Sequence, residues 1–314
     1  MRAAGHYNLK RFSELSAGFL LSRASVRRHL GGVKLSAAEI RQAVRAALAE
    51  DIGSGDATTL ATVPANATAK AVMRAREPLI VAGIEFAQMA FCELSPKIKI
   101  EKQSRDGQKI TAGKILLKIS GPARAILSAE RVALNFVQRL SGVATLTSRF
   151  VEAVRGTHAQ ILDTRKTTPG WRRFEKYAVT CGGGKNHRVG LFDMILIKDN
   201  HLAALQNEKP DAIAAAVSRA RTKFPKLNIE VEVDTLQQVG QAVNARADFI
   251  LLDNMNLKQM REAVKIVAGH AKTEASGGVN LKTVRAIAKA GVDFISVGAL
   301  THSARAVDIG LDFE

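Results

Sequence analysis

The chain has 314 residues, long enough to bury a substantial core as one large barrel or as two modest domains. Its 46% hydrophobic and 24% charged residues exclude a disordered polymer, and no run approaches the roughly 20 apolar residues of a membrane span, so no membrane partner is expected. The net charge of +17 invites a polyanion, but aromatic residues at 5% are thin for stacking on bases, which leaves nucleic-acid binding a remote alternative and no nucleic acid as the expectation.

Residues 1–34 hold seven cations, among them Arg2, Arg23, Arg27 and Arg28, against the single acid Glu14. This Arg-rich, acid-poor composition suits a disordered extension or a misassigned start better than a targeting peptide, and part of the net charge sits there. A helix is expected from Ser36, which acts as N-cap with Glu39 three residues on, and Ile40, Val44 and Leu48 share its apolar face. The turn-rich stretch 51–56 ends it. Strand-like runs follow at Ala69–Ala75, Leu79–Ala82, Ile98–Lys102 and Ile115–Ser120, closed by Gly121-Pro122, and predict a small domain of mixed helices and strands. A long helix is then predicted to open at Ser128, with Ala133, Phe136, Val137, Leu140 and Ala144 on one stripe. Its other face carries Arg131, Asn135, Gln138 and Arg139, a pattern that is usually solvated and that could also present Arg131 to a site.

From residue 160 short apolar strands alternate with helical stretches. Six of them end in polar residues: Asp163-Thr164-Arg165-Lys166, Lys198-Asp199-Asn200, Glu232-Val233-Asp234, Asp253-Asn254, Ser276-Gly277-Gly278 and Gly298-Ala299. Such repetition implies a parallel sheet with right-handed crossovers. A doubly wound sheet would concentrate its chemistry at one switch point, whereas here every strand end is functionalised, as in a barrel.

The polar strand ends have a definite chemistry. Ser276-Gly277-Gly278 and Gly298 precede helices in the last two units, where glycines let backbone N–H groups approach a phosphate. Arg165, Lys166, Lys185, Arg188 and Lys198 supply cations that are costly to leave unpaired in a cavity, and guanidinium groups match carboxylates and phosphates in two-pronged fashion. Glu232 and Asp253 have the opposite charge and suit a ribose diol or a Mg²⁺ ion, which takes few carboxylates beside a substrate phosphate. Glu230 and Glu232 share a strand face, so either could meet the ligand. His187 is assigned to substrate binding, and His201 is left open. Two cysteines, Cys92 and Cys181, are too few for a disulfide framework and favour a reducing, cytoplasmic setting.

The stretches Asp163-Thr164-Arg165-Lys166-Thr167-Thr168-Pro169-Gly170, Gly182-Gly183-Gly184-Lys185-Asn186-His187-Arg188, Ile197-Lys198-Asp199-Asn200-His201, Leu251-Leu252-Asp253-Asn254, Glu274-Ala275-Ser276-Gly277-Gly278 and Val297–Ser303 resemble those of the quinolinate phosphoribosyltransferase family from about residue 36 onward. The resemblance implies an α/β fold in which an N-terminal α/β sandwich domain, 35–143, precedes an incomplete (β/α) barrel of TIM type, 144–302, with the tail 303–314 returning to the first domain. It implies that quinolinate and phosphoribosyl pyrophosphate become nicotinate mononucleotide, pyrophosphate and CO₂, for de novo NAD biosynthesis. Arg131, Arg165, His187, Arg188 and Lys198 would surround the quinolinate carboxylates, with Lys166 and Lys198 also near phosphate groups. Ser276, Gly277, Gly278, Gly298 and His302 would hold a phosphate, and Glu232 and Asp253 the ribose hydroxyls and Mg²⁺. A homodimer, or an assembly of dimers, would donate Arg131 across the interface. A same-fold paralogue associated with molybdenum transport, using another anionic heterocycle, is the alternative within the enzymes.

Overall fold

The computed structural model describes residues 32–314. The expected disordered extension at 1–34 therefore lies almost wholly outside the described residues. Helix α1 (Ala37–Ile52) forms where its cap requires it: the Ser36 side chain accepts from the Glu39 backbone N–H, Glu39 answers at the Ser36 N–H, and Ile40, Val44 and Leu48 are buried. Gly53, with φ of 53°, ends it. Next comes a short helix α2 (Ala57–Thr62) capped by Asp56, then β1 (Thr68–Ala75), β2 (Leu79–Ile80), α3 (Ile84–Leu94), β3 (Lys99–Lys102), β4 (Lys109–Ile110) and β5 (Ile115–Pro122). Helix α4 (Ala123–Ala153) follows β5 without a loop, so it opens five residues before Ser128. Ser128 is an interior position whose hydroxyl donates to the Asp56 carboxylate at 2.8 Å. Pro122 starts the helix because its missing N–H costs nothing at a helix start and its φ is preset.

The second half runs β6 (Gln160–Leu162), α5 (Arg172–Cys181), β7 (Ile195–Ile197), α6 (Asp199–Ala203), α7 (Ala212–Lys223), β8 (Ile229–Val233), α8 (Leu236–Asn244), β9 (Phe249–Asp253), α9 (Leu257–Val267), β10 (Lys272–Ser276), α10 (Val284–Ala288), β11 (Phe294–Ser296), α11 (Ala299–His302) and β12 (Ile309–Phe313). The six-stranded parallel sheet has the order β6-β11-β10-β9-β8-β7. From β7 to β11 neighbours are consecutive in the chain, β11 then pairs with β6, and β6 and β7 are unjoined. That is an opened barrel, as the strand-end chemistry predicts. The gap is used: Lys185 N–H donates to Ile161 O at 2.8 Å and Asp163 N–H to Lys185 O at 3.2 Å, so the segment after α5 lies along the free edge of β6.

In the first half, the antiparallel sheet β12-β1-β5-β3 takes its edge strand from the far end of the chain. The 31-residue α4 spans both halves and buries residues from Ala123 to Phe150. Aromatic rings tie the halves together, Phe86 on Phe136 at 4.8 Å and Phe136 on Trp171 at 4.9 Å. Among the described residues no helix is long and apolar enough to cross a membrane.

Candidate active site

Parallel strands put all their C-terminal ends at one rim. There Arg165 and Lys166 follow β6, Lys198 follows β7, Glu232 lies near the end of β8, Asp253 ends β9, Ser276 ends β10, and Gly298 opens α11. His187 and Arg188 reach the same rim on the segment that pairs with β6. Arg131 does not. It is exposed on α4 and makes no hydrogen bond or ion pair with a rim residue among the described residues.

The floor under the rim is polar and closed. Asp163 is fully buried, pairs with the fully buried Lys176, and accepts from Asn186 Nδ2 at 2.6 Å and from the His187 N–H at 2.8 Å. Lys176 also donates to His187 O at 2.9 Å. Burial pushes the Asp163 pKa up and the Lys176 pKa down, while the opposite charge of each resists the other's shift. Together they pin the backbone that presents His187 and Arg188.

His187 Nε2 lies 3.0 Å from Glu230 and 3.6 Å from Glu274, both buried. Burial works against a charged ring, and the Glu274 and Glu230 carboxylates overcome it, raising the imidazole to about 9. Glu274 is itself pushed up to about 8 by burial and by the Glu230 charge, with the His187 ring opposing that shift. The Arg188 N–H lies 2.8 Å from His187 Nδ1. Nε2 is directed at Glu230. Both nitrogens are engaged within the protein.

Glu230 therefore faces the interior, and Glu232, two residues nearer the rim, accepts from Lys198 Nζ at 2.6 Å. Among the described residues His187, Glu230 and Glu274 are grouped with the spacing of a metal site, whereas Glu232 and Asp253 are an open pair on adjacent strands. In the buried trio Glu230 Oε1 and Glu274 Oε1 are left without a hydrogen-bond partner, and the group is closed to the rim. The open pair offers two hard oxygen donors where a substrate phosphate could complete the shell, and its donor set fits Mg²⁺ better.

Across the rim Arg165 and Arg188 crowd one another: burial and the Arg165 charge both push the Arg188 pKa down, and Arg165 Nε is buried without a hydrogen-bond partner. Arg188 reaches the Met194 carbonyl at 3.3 Å. Two neighbouring guanidinium groups with unspent donors make a receptor for a carboxylate. Gly277, after β10, has φ of 93°, and a Cβ there would sit 2.1 Å from Asn254 Oδ1, so this position tolerates only glycine. At Gly298 a Cβ would come within 3.0 Å of His302 Nε2 and 3.2 Å of Lys166 Cδ, so these three expected residues converge. The triple glycine at 182–184 does a different job. A Cβ on Gly182 would meet Ala144 O at 2.3 Å, so it packs α5 on α4 and leaves anion contacts to its neighbours.

Sequence reasoning missed Glu175, Lys176 and Arg139. Glu175 shares a helical face with the buried Ala178 and Val179, which was the one available hint. Arg139, read as part of a solvated face, is hydrogen-bonded to Glu175 and to two backbone carbonyls.

Residues 56–141 match the quinolinate phosphoribosyl transferase N-terminal domain, and residues 143–312 match the C-terminal domain of the same family. The chain is 44% identical over 278 residues to the nicotinate-nucleotide pyrophosphorylase [carboxylating] of Mycobacterium leprae, covering 87% of this chain and 96% of that protein. It is 41% identical over 292 residues to the chloroplastic protein of that name from Arabidopsis thaliana, covering 88% and 83%. The solved structure of the nicotinate-nucleotide pyrophosphorylase from Francisella tularensis superposes with a TM-score of 0.85 at 40% identity, covering 91% of this chain and 100% of that one. With both domains matched in order and 44% identity to a relative covered almost end to end, the chain belongs to the quinolinate phosphoribosyl transferase family.

Proposed function

We propose that this enzyme transfers the phosphoribosyl group of phosphoribosyl pyrophosphate to quinolinate, yielding nicotinate mononucleotide, pyrophosphate and CO₂ for NAD biosynthesis. The observation that carries the reading is the Arg165–Arg188 pair, two crowded guanidinium groups with an unpartnered buried Nε, sharing one barrel rim with the glycines after β10. A pyridine dicarboxylate neutralises the first and a ribose 5-phosphate the second.

In this reading Arg165, Arg188 and Lys198 hold the quinolinate carboxylates, and His187 forms the floor that orients Arg188. Ser276, Gly277, Gly278, Gly298 and His302 hold the phosphate, and Lys166, which abuts Gly298, meets the pyrophosphate. Glu232 and Asp253 address the ribose hydroxyls and would hold Mg²⁺, whose chemistry is to neutralise the departing pyrophosphate. No protein nucleophile is needed. The pyridine nitrogen forms a bond to the anomeric carbon as the bond to pyrophosphate breaks, and fixed cations and alignment lower the barrier. The quaternary nitrogen then stabilises the carbanion left when the adjacent carboxylate departs as CO₂, and a proton from water completes the product.

The domain division at 143/144 belongs to the same proposal and falls inside the continuous helix α4. So does the homodimer, with Arg131 donated to the partner's rim, since its own rim lies out of contact. Two free cysteines are in keeping with a cytoplasmic enzyme. Incubation with quinolinate, phosphoribosyl pyrophosphate and Mg²⁺, followed by pyridine absorbance, tests the activity. Turnover that slows when Mg²⁺ is withheld is expected, and no turnover of quinolinate rejects the reading.

A further inference from the structure

Helix α4 reaches the loops of the rim at Arg139, eight residues after Arg131. The Arg139 side chain is 27% exposed, and its partner Glu175 is fully buried. One guanidinium nitrogen, Nη2, donates to Glu175 Oε1 at 2.7 Å and to the Thr301 carbonyl at 2.7 Å, while Nη1 donates to the Ala304 carbonyl at 2.5 Å. Glu175 in turn accepts from the Thr168 N–H at 3.0 Å and from the Thr168 hydroxyl at 2.9 Å. The Thr301 hydroxyl closes the circuit by donating to the Lys166 carbonyl at 2.6 Å.

This network has two ends. Thr168 and Lys166 belong to the loop after β6 that carries Arg165. Thr301 lies in α11 between Gly298 and His302. We propose that Arg139 and Glu175 are positioning residues that fix the spacing between the two substrate loops, one holding the aromatic acid and the other the sugar phosphate. Resting on the function proposed above, this assigns them no contact with either substrate. Their effect is on the approach of the pyridine nitrogen to the anomeric carbon.

The physical basis is the steep dependence of bond formation on alignment, where a misplacement of about 1 Å costs on the order of 100-fold in rate. A guanidinium fork can hold a carboxylate and two carbonyls of different segments at once, whereas an ammonium is a single point donor. A charge pair at the join also makes the geometry hard to relax, because Glu175 is out of water and has no other cation within ion-pair distance among the described residues.

The test uses Arg139→Lys, which keeps the charge beside Glu175 and so preserves folding, Glu175→Gln, and Thr301→Val, which removes only the hydroxyl link to Lys166. For each, kcat is measured beside the Kd of quinolinate alone and of phosphoribosyl pyrophosphate alone. The expected pattern is a fall in kcat of about 100-fold for the first two, and a smaller fall for the third, with each single-ligand Kd within about threefold of wild type. Unchanged kcat overturns the proposal. So does a kcat loss matched by an equal loss of single-ligand binding, which would make the network a general scaffold. Wild-type turnover measured in parallel separates the two failures: an inactive wild type sinks the reaction, and an active wild type with active variants sinks only the positioning role.

Discussion

At the scale of single residues, the chemistry of the rim comes from groups whose needs the protein leaves unmet. Arg165 keeps a buried Nε without a partner, and Arg188 is crowded by it, so both are poised for a dianion. Replacing Arg165 with alanine removes two charge-assisted hydrogen bonds of about 1.5–3 kcal/mol each. Quinolinate affinity should fall about 100-fold or more, measured by calorimetry. An unchanged Kd would take Arg165 out of the pocket. The residue types were legible in the sequence because strand ends in a parallel barrel converge. The raised pKa of His187 was not, because it depends on Glu230 and Glu274, which lie 43 and 87 positions away and meet it only inside the barrel.

At the scale of elements, the capped and periodic ones were readable and the packed ones were not. The capping box and apolar spacing of α1 formed as expected, while α3 was missed although Glu85, Gln88 and Glu93 give it a polar side opposite the buried Ala87, Ala90 and Phe91. Glu39 does more than cap α1, since its carboxylate also accepts from Arg173 Nε at 2.5 Å on α5, tying the first helix to the barrel. Burial tends to raise the Glu39 pKa, but Arg173 and Ser36 outweigh it and hold the group below its ordinary value. A lowered folded pKa means that the stabilisation is present above the unfolded value of about 4.3 and is lost as pH falls through the folded one. Glu39→Gln should therefore lower stability by about 1 kcal/mol at pH 7, and the gap from wild type should close in acid. Thermal melts across pH 3–7 read this directly, and a gap that persists at the acid end would contradict it.

At the scale of the whole molecule, the site is spread over the chain. Its walls come from residues 163 to 302, and Arg131 stands outside them on α4. In a two-fold dimer the same surface of each subunit serves the other, so two inactive variants should repair one another. Mixing Arg131→Ala with Arg165→Ala subunits under exchange should restore about a quarter of wild-type activity, because half of randomly paired dimers are mixed and each mixed dimer holds one intact site. Activity that stays at the level of the separate variants would place Arg131 in its own subunit or outside the site. The sequence by itself determined the barrel grammar, the cationic strand ends and the glycines after β10, because each follows from local periodicity or from a backbone conformation open to one residue type. Only the tertiary structure decided which glutamate of the 230/232 pair is buried in the floor and which lies at the rim, that Gly182 serves packing, and that Arg139 joins the loop after β6 to α11. These depend on contacts between segments far apart in the chain, and no local pattern encodes such contacts.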